Sequence, residues 1–192
     1  MTKRLTTEDE IAKQFLAELG LAVFDAQGLE YGLVTLFAAT AAIDPARAGE
    51  DLQALMDTRF QKTMGQLIRE ATKSLGLPTA VVEALAPALK ARNWLAHHFY
   101  REFAAAAYDS SLTIAALERI WAARSLFRAA SDAVHELVVE RLETIGISEA
   151  EIEKRGKAAL EAYIGANADP EQLWNAVLDR SDWYRDADEG NR

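Results

Sequence analysis

The chain has 192 residues, half of them hydrophobic, enough for one domain with a real core and a small appendage. Its 21 basic and 30 acidic residues leave a formal charge of −9, which argues against a surface that binds polyanions everywhere but allows one local basic site. The absence of cysteine excludes disulfides, thiolate metal sites and cysteine nucleophiles.

Ten glycines and four prolines among abundant Ala, Leu, Glu and Arg favour helix along the whole chain, and no β-branched stretch alternates with a period of two. The start, MTKRLTTEDE, turns acidic where a secretion signal would turn apolar, and no run reaches the roughly 18 apolar residues of a membrane span. A cytoplasmic protein without a membrane partner is expected. A first long helix is expected from Glu8 to Ala42, with Thr7 as N-cap and Asp44-Pro45 as the stop. Gly20, Gly28 and Gly32 invite a bend or break in it. A second helix should run from Glu50 to Leu75, closed by Gly76 with Pro78 just beyond. A third, Thr79 to Ala107, contains Pro87, which predicts a kink or a late start. After a turn at Tyr108–Ser111, a fourth helix spans Thr113 to Ile145 and ends at Gly146.

Ser148-Glu-Ala-Glu151 is a capping box opening a short helix to Ile164, and Asp169-Pro170 opens a last one. Residues 149–192 hold 11 acids and 6 bases, so this last quarter carries more than half of the net charge. The fold predicted is all-α, an antiparallel up-and-down bundle of four long helices with two short C-terminal helices. Residues 1–147 form the bundle, and residues 148–192 are an acidic extension with a frayed tail.

Stepping about 100° per residue shows what each helix buries. Phe15, Leu19, Ala26, Leu33 and Phe37 line the first helix, with Glu30 at the margin. Val82, Leu85, Leu89, Ala96, Phe99 and Phe103 line the third, with Arg92 near the centre and Asn93 and His97 along one edge. On the fourth, Ile120, Phe127, Val134, Val138, Leu142 and Ile145 form a stripe that includes Arg124, Ser131 and His135. Buried arginine is rare unless paired, so a set of inward charged groups marks either a register-fixing ion pair, such as Arg92 with Glu30, or a functional site. Between Glu83 and Glu102 there is no acid, but there are Lys90, Arg92, His97, His98 and Arg101, an island able to hold a phosphate.

The string ARNWLAHHFYRE, residues 91–102, resembles the signature of the HEPN superfamily, small helical domains of prokaryotic toxin and defence systems. The family motif is Arg, often followed by Asn or Asp, then His after four to six residues. Arg92-Asn93-Trp-Leu-Ala-His97 fits with four intervening residues, and Arg92 to His98 fits with five. One branch carries His-x-Tyr here, which His98-Phe-Tyr100 meets only through the longer spacing. The resemblance covers residues 8–145 and implies a helical homodimer acting as a metal-independent endoribonuclease, without cofactor, on RNA, with an antitoxin-like protein as a further partner. It implies Arg92 as phosphate clamp and His97 as general acid/base, in a cleft shared by two copies. Asn93 would position phosphate or ribose and Glu30, from the first helix, would orient Arg92 or His97. His98, Tyr100, Arg124 and His135 would be supporting groups. Arginine suits phosphate because its planar fork stays charged, and histidine titrates near neutrality.

Other readings stay open on the residues. A di-metal carboxylate bundle needs Glu-x-x-His on two helices, and only Asp132-Ala-Val-His135 approaches it. No Gly-rich phosphate loop or HExxH motif occurs. The main alternative is a non-catalytic helical dimer binding a nucleotide, another phosphate ligand or a partner protein, which the charge of −9 favours.

Overall fold

A computed structural model describes residues 7–106 and 108–166, and all regular structure among them is helical. The elements are α1 (Thr7–Ile43), a single 3-10 turn (Pro45–Arg47), α2 (Leu52–Phe60), α3 (Met64–Ser74), α4 (Thr79–His97), α5 (Phe99–Phe103), α6 (Ser110–Glu143) and α7 (Glu149–Ala166). No helix among the described residues is long and apolar enough to cross a membrane. The chain divides into two units, residues 1–146 and 147–192.

Helix α1 runs unbroken through Gly20, Gly28 and Gly32 for 37 residues. Burial explains this: Ala22, Ala26, Leu29, Leu33, Leu36 and Phe37 are all buried along its inner side, and tertiary packing outweighs the poor helix propensity of glycine. Asp44 then accepts a hydrogen bond from the amide of Ala46 and, with Pro45, ends the helix as expected.

The second expected helix is in fact two. Residues 61–63 break it, because Thr63 caps a fresh start: its hydroxyl accepts from the amide of Gln66 at 3.3 Å, and the Gln66 side chain accepts from the amide of Thr63 at 2.8 Å. Arg59 and Lys62 both reach the carboxylate of Glu70 and clasp the resulting hairpin, while the Arg59 guanidinium lies 4.2 Å above the centre of the Phe37 ring. The extra reversal changes the topology. Four alternating helices would leave the first and last antiparallel, but here α1 and α6 run the same way. Arg124 meets Glu18 and Asp25, Arg128 meets Asp25, and Gly32 lies beside Val134, so positions on both helices advance together. Helix α4 runs against both: Arg92 pairs with Glu30, while Phe99, just beyond α4, stacks on Phe15.

Helix α4 continues through Pro87 from Thr79, with no late start, and buries Val81, Leu85 and Ala88 on either side of the proline. It stops at His97, ten residues short of the expected end, and His98, its φ stretched to −118°, joins it to the next helix. The short α5 that follows turns Phe99 and Phe103 into a cluster with Phe15, Ala22, Ala116, Leu117 and Ile120, against which Trp94 packs edge-on. A larger cluster joins α1 and α6 through Leu29, Leu33, Phe37, Phe127 and Val134, with Met64, Leu67, Leu85 and Ala88 from α3 and α4. Gly76 and Gly146 follow α3 and α6 with φ of 62° and 79°, the left-handed conformation that a helix end asks of glycine.

In the second unit, α7 begins after Ser148, whose hydroxyl accepts from the amide of Glu151 at 3.3 Å, as the capping box predicts. The helix expected at Asp169-Pro170 lies outside the described residues.

Helix α6 starts at Ser110 because Asp109 caps it, three residues before the expected start. The Asp109 carboxylate accepts from the hydroxyl and amide of Ser111 and the amide of Leu112, and these bonds, the hydroxyl first, hold its pKa below the ordinary 3.8. A carboxylate with a lowered folded pKa stabilises above its unfolded value and loses that contribution as pH falls through the folded one. The thermal midpoint of wild type relative to D109N, in which asparagine still caps but does not titrate, should therefore fall as pH drops below about 3.8. Parallel melting curves for the two proteins between pH 7 and pH 2 are the check.

Candidate functional site

The pairing expected between the first and third long helices is present. Arg92 on α4 donates through Nε to Oε1 of Glu30 on α1 at 3.2 Å, and both side chains are about 30% exposed, at 30% and 27%. This one bond anchors the guanidinium by its inner nitrogen. Among the described residues, the two terminal nitrogens of Arg92 have no hydrogen-bond partner. The site is thus a half-buried arginine, oriented by a carboxylate, with its fork available to an anion.

His97, His98 and His135 are all exposed, as are Asn93 and Tyr100. For His98, which helix phase turns away from the apolar face, this is as expected, whereas His97 and His135 differ from expectation. His135 was expected within the inward stripe of α6, but it sits beside the buried Val134 on the solvent side of that helix. His97 is the last residue of α4. Five residues of helix separate it from Arg92 by about 140° around the axis and about 7.5 Å along it, so the two side chains leave α4 in different directions. His98 forms the junction between α4 and α5, with its amide bonded to the Trp94 carbonyl at 2.9 Å and its carbonyl accepting from the Glu102 amide at 3.1 Å. The Glu102 carboxylate takes the Trp94 indole N–H at 3.2 Å and the Arg119 guanidinium.

Arg124 is inward as predicted, and its charge is already matched. It bonds Asp25 through Nε at 2.7 Å and Glu18 through a terminal nitrogen, with only 11% of its side chain exposed. The Asp25 bond, and after it Glu18, hold its pKa above the ordinary arginine value against the opposing effect of burial. A guanidinium held by two carboxylates joins α6 to α1, and its charge is matched within the protomer.

Residue patterning did not point to Glu18, Asp25, Arg119 or Trp94. Arg119 lies 4.7 Å over the Trp94 ring at one end of a groove of about 380 Å³ between α4 and α6, floored by Ala91, Ala122, Ala123 and Leu126 with Lys90 at its side. The groove does not include Arg92. Among the described residues no three His, Asp or Glu side chains gather as a metal site, and Asp132 and His135 are both exposed. No protein-family profile, curated protein or solved structure matches this chain.

Proposed function

We propose that this chain is a HEPN-like helical protein, a metal-independent endoribonuclease of the toxin or defence type, in which Arg92 grips a phosphodiester and His97 moves the proton. The observation that carries this reading is the half-buried Arg92, held from behind by Glu30 with both terminal nitrogens unengaged among the described residues. Such a fork can accept two phosphate oxygens and stabilise the charge that builds on phosphorus. In this scheme the 2′-oxygen attacks phosphorus as His97 takes its proton, and the bond to the 5′-oxygen breaks as that oxygen is protonated. The products are a 2′,3′-cyclic phosphate and a 5′-hydroxyl, and no oxidant, metal or cofactor enters the balance. Asn93 contacts the ribose or phosphate, the protein acts as a homodimer in the cytoplasm, and an antitoxin-like protein is its natural regulator.

The angular divergence of Arg92 and His97 favours a second reading, in which a non-catalytic dimer binds a nucleotide or a partner protein through Arg92 alone. Incubating total RNA with the purified chain in EDTA, beside R92A and H97A, separates the two. The nuclease reading expects cleavage that falls by roughly a hundredfold or more in each variant. Intact RNA with a folded protein, together with nucleotide binding lost in R92A and kept in H97A, supports the binding reading. His97 is exposed, so H97A should fold as wild type does, whereas R92A leaves Glu30 without its partner and its helical circular dichroism is compared with wild type before the assay.

A further inference from the structure

The outward side of α1 continues the face on which Val34, Ala38 and Ala41 are buried, where α2 folds back along the second half of the helix. Over the first half nothing described covers it. Leu16, Phe24 and Tyr31 are 58%, 70% and 57% exposed, flanked by Leu21 and Val23, and Phe60 of α2 extends the patch, its ring tilted against that of Tyr31 at 5.6 Å. A contiguous apolar patch of this size marks an interaction surface.

Two further features say what occupies it. The first is shape. Leu16, Gly20, Phe24 and Gly28 form one four-residue ridge, alternating large and absent side chains. A Cβ added at Gly20 or Gly28 would meet nothing within 4 Å. Nothing inside the protomer therefore explains two glycines, the poorest helix formers after proline, in the middle of a long helix. A ridge of this kind is complementary to itself: a two-fold axis at the level of residue 22 sets Phe24 against Gly20 of a second copy and Leu16 against its Gly28. The second feature is charge. Between Leu16 and Tyr31 the charged residues are Glu18, Asp25 and Glu30, and all three are bound to Arg124 or Arg92. In a chain of net charge −9 this face can meet its own copy without setting unpaired carboxylates together.

We infer that a second copy of this chain docks here, α1 crossing α1 in a symmetric dimer built on the Leu16–Gly20–Phe24–Gly28 ridge. The exposed apolar side chains offer roughly 600 Å² per copy, about 1,200 Å² in all, the lower edge of the range for specific, stable interfaces. This pairing places the two Glu30 positions about 24 Å apart along the helices, so in it each Arg92 site stays with its own copy, unlike the cleft shared by two copies that the family resemblance implies.

Sedimentation of the full chain across a concentration series tests this, with G20L and F24E alongside. Wild type should approach a species of twice 21.2 kDa at micromolar concentration. Both variants should dissociate with a constant raised roughly tenfold or more, because leucine fills the hollow and glutamate buries a charge. G20L keeps the control on folding, since leucine favours helix and has open space in the single copy, so its helical circular dichroism should match or exceed that of wild type. A wild-type chain that stays monomeric at all concentrations overturns the inference, its own residues after Gly146 then being the occupant to examine. A dimer left intact by both variants overturns it too, by placing the interface elsewhere. Neither outcome depends on RNA cleavage, so failure here and failure of the nuclease reading are read separately.

Discussion

Replacing Arg124 by methionine should lower the free energy of unfolding by about 3 kcal/mol, because it strands two acids rather than because it removes one base. Arg124 lies between Glu18 and Asp25, whose side chains are 20% and 15% exposed, and it bonds each of them. Without it, two carboxylates about two helical turns apart on the same side of α1 are left without their partner in a partly dry seam. The exposed Arg128, 3.6 Å from Asp25, compensates only weakly, since a surface pair contributes 1 kcal/mol or less. The loss should be recovered largely by E18Q and D25N in the same chain, which remove the stranded charges while keeping shape. Urea unfolding curves of the single and triple variants give the comparison, and a triple variant as unstable as R124M would show that contacts of the arginine stem matter more than its charge.

The second large effect is expected at Phe127. This ring is fully buried in the cluster that joins α1 to α6, beside Leu29, Leu33, Phe37 and Val134. F127A should cost about 4 kcal/mol, the transfer of most of a ring plus the cavity that rigid neighbours cannot close. Against a total stability of 5–15 kcal/mol typical of a domain, about a quarter or more of the folding free energy would be lost. The midpoint of a urea transition should fall with little change of slope. A drop under about 1 kcal/mol would mean that α1 and α6 close the gap by sliding together.

How much of this was readable in the chain depends on whether the signal was local. Helix ends were: Asp44-Pro45, Gly76, Gly146 and Ser148 all stand where helices stop or start. The inward orientation of Arg92 and Arg124 also followed from helix phase, and Glu30 was the acid found beside Arg92. The break at residues 61–63 was missed because no glycine or proline marks it, although Thr63-Met-Gly-Gln66 carries the spacing of a capping box. The break at His98 has no comparable mark, and it decides the candidate site. Phase arithmetic continued through it places Phe103 on the face of Leu85, whereas the kink sends Phe99 and Phe103 into a separate cluster. The partners of Arg124 lie 99 and 106 positions away, and only the register between α1 and α6 selects them.

That register has a consequence during synthesis. The principal seam of the first unit joins its first helix to its last long one, so the contacts that bury α1 are among the most distant in sequence. About 100 residues separate the end of α1 from the end of α6, and at 5–20 residues per second the ribosome takes roughly 5–20 s to supply them. For that interval α1 has emerged with its inner side still lacking α6, and with the ridge of Leu16 and Phe24 exposed as well. A nascent chain in this condition should bind holding chaperones until α6 arrives. Slower translation ahead of Ser110 should lengthen the exposure and lower the soluble yield.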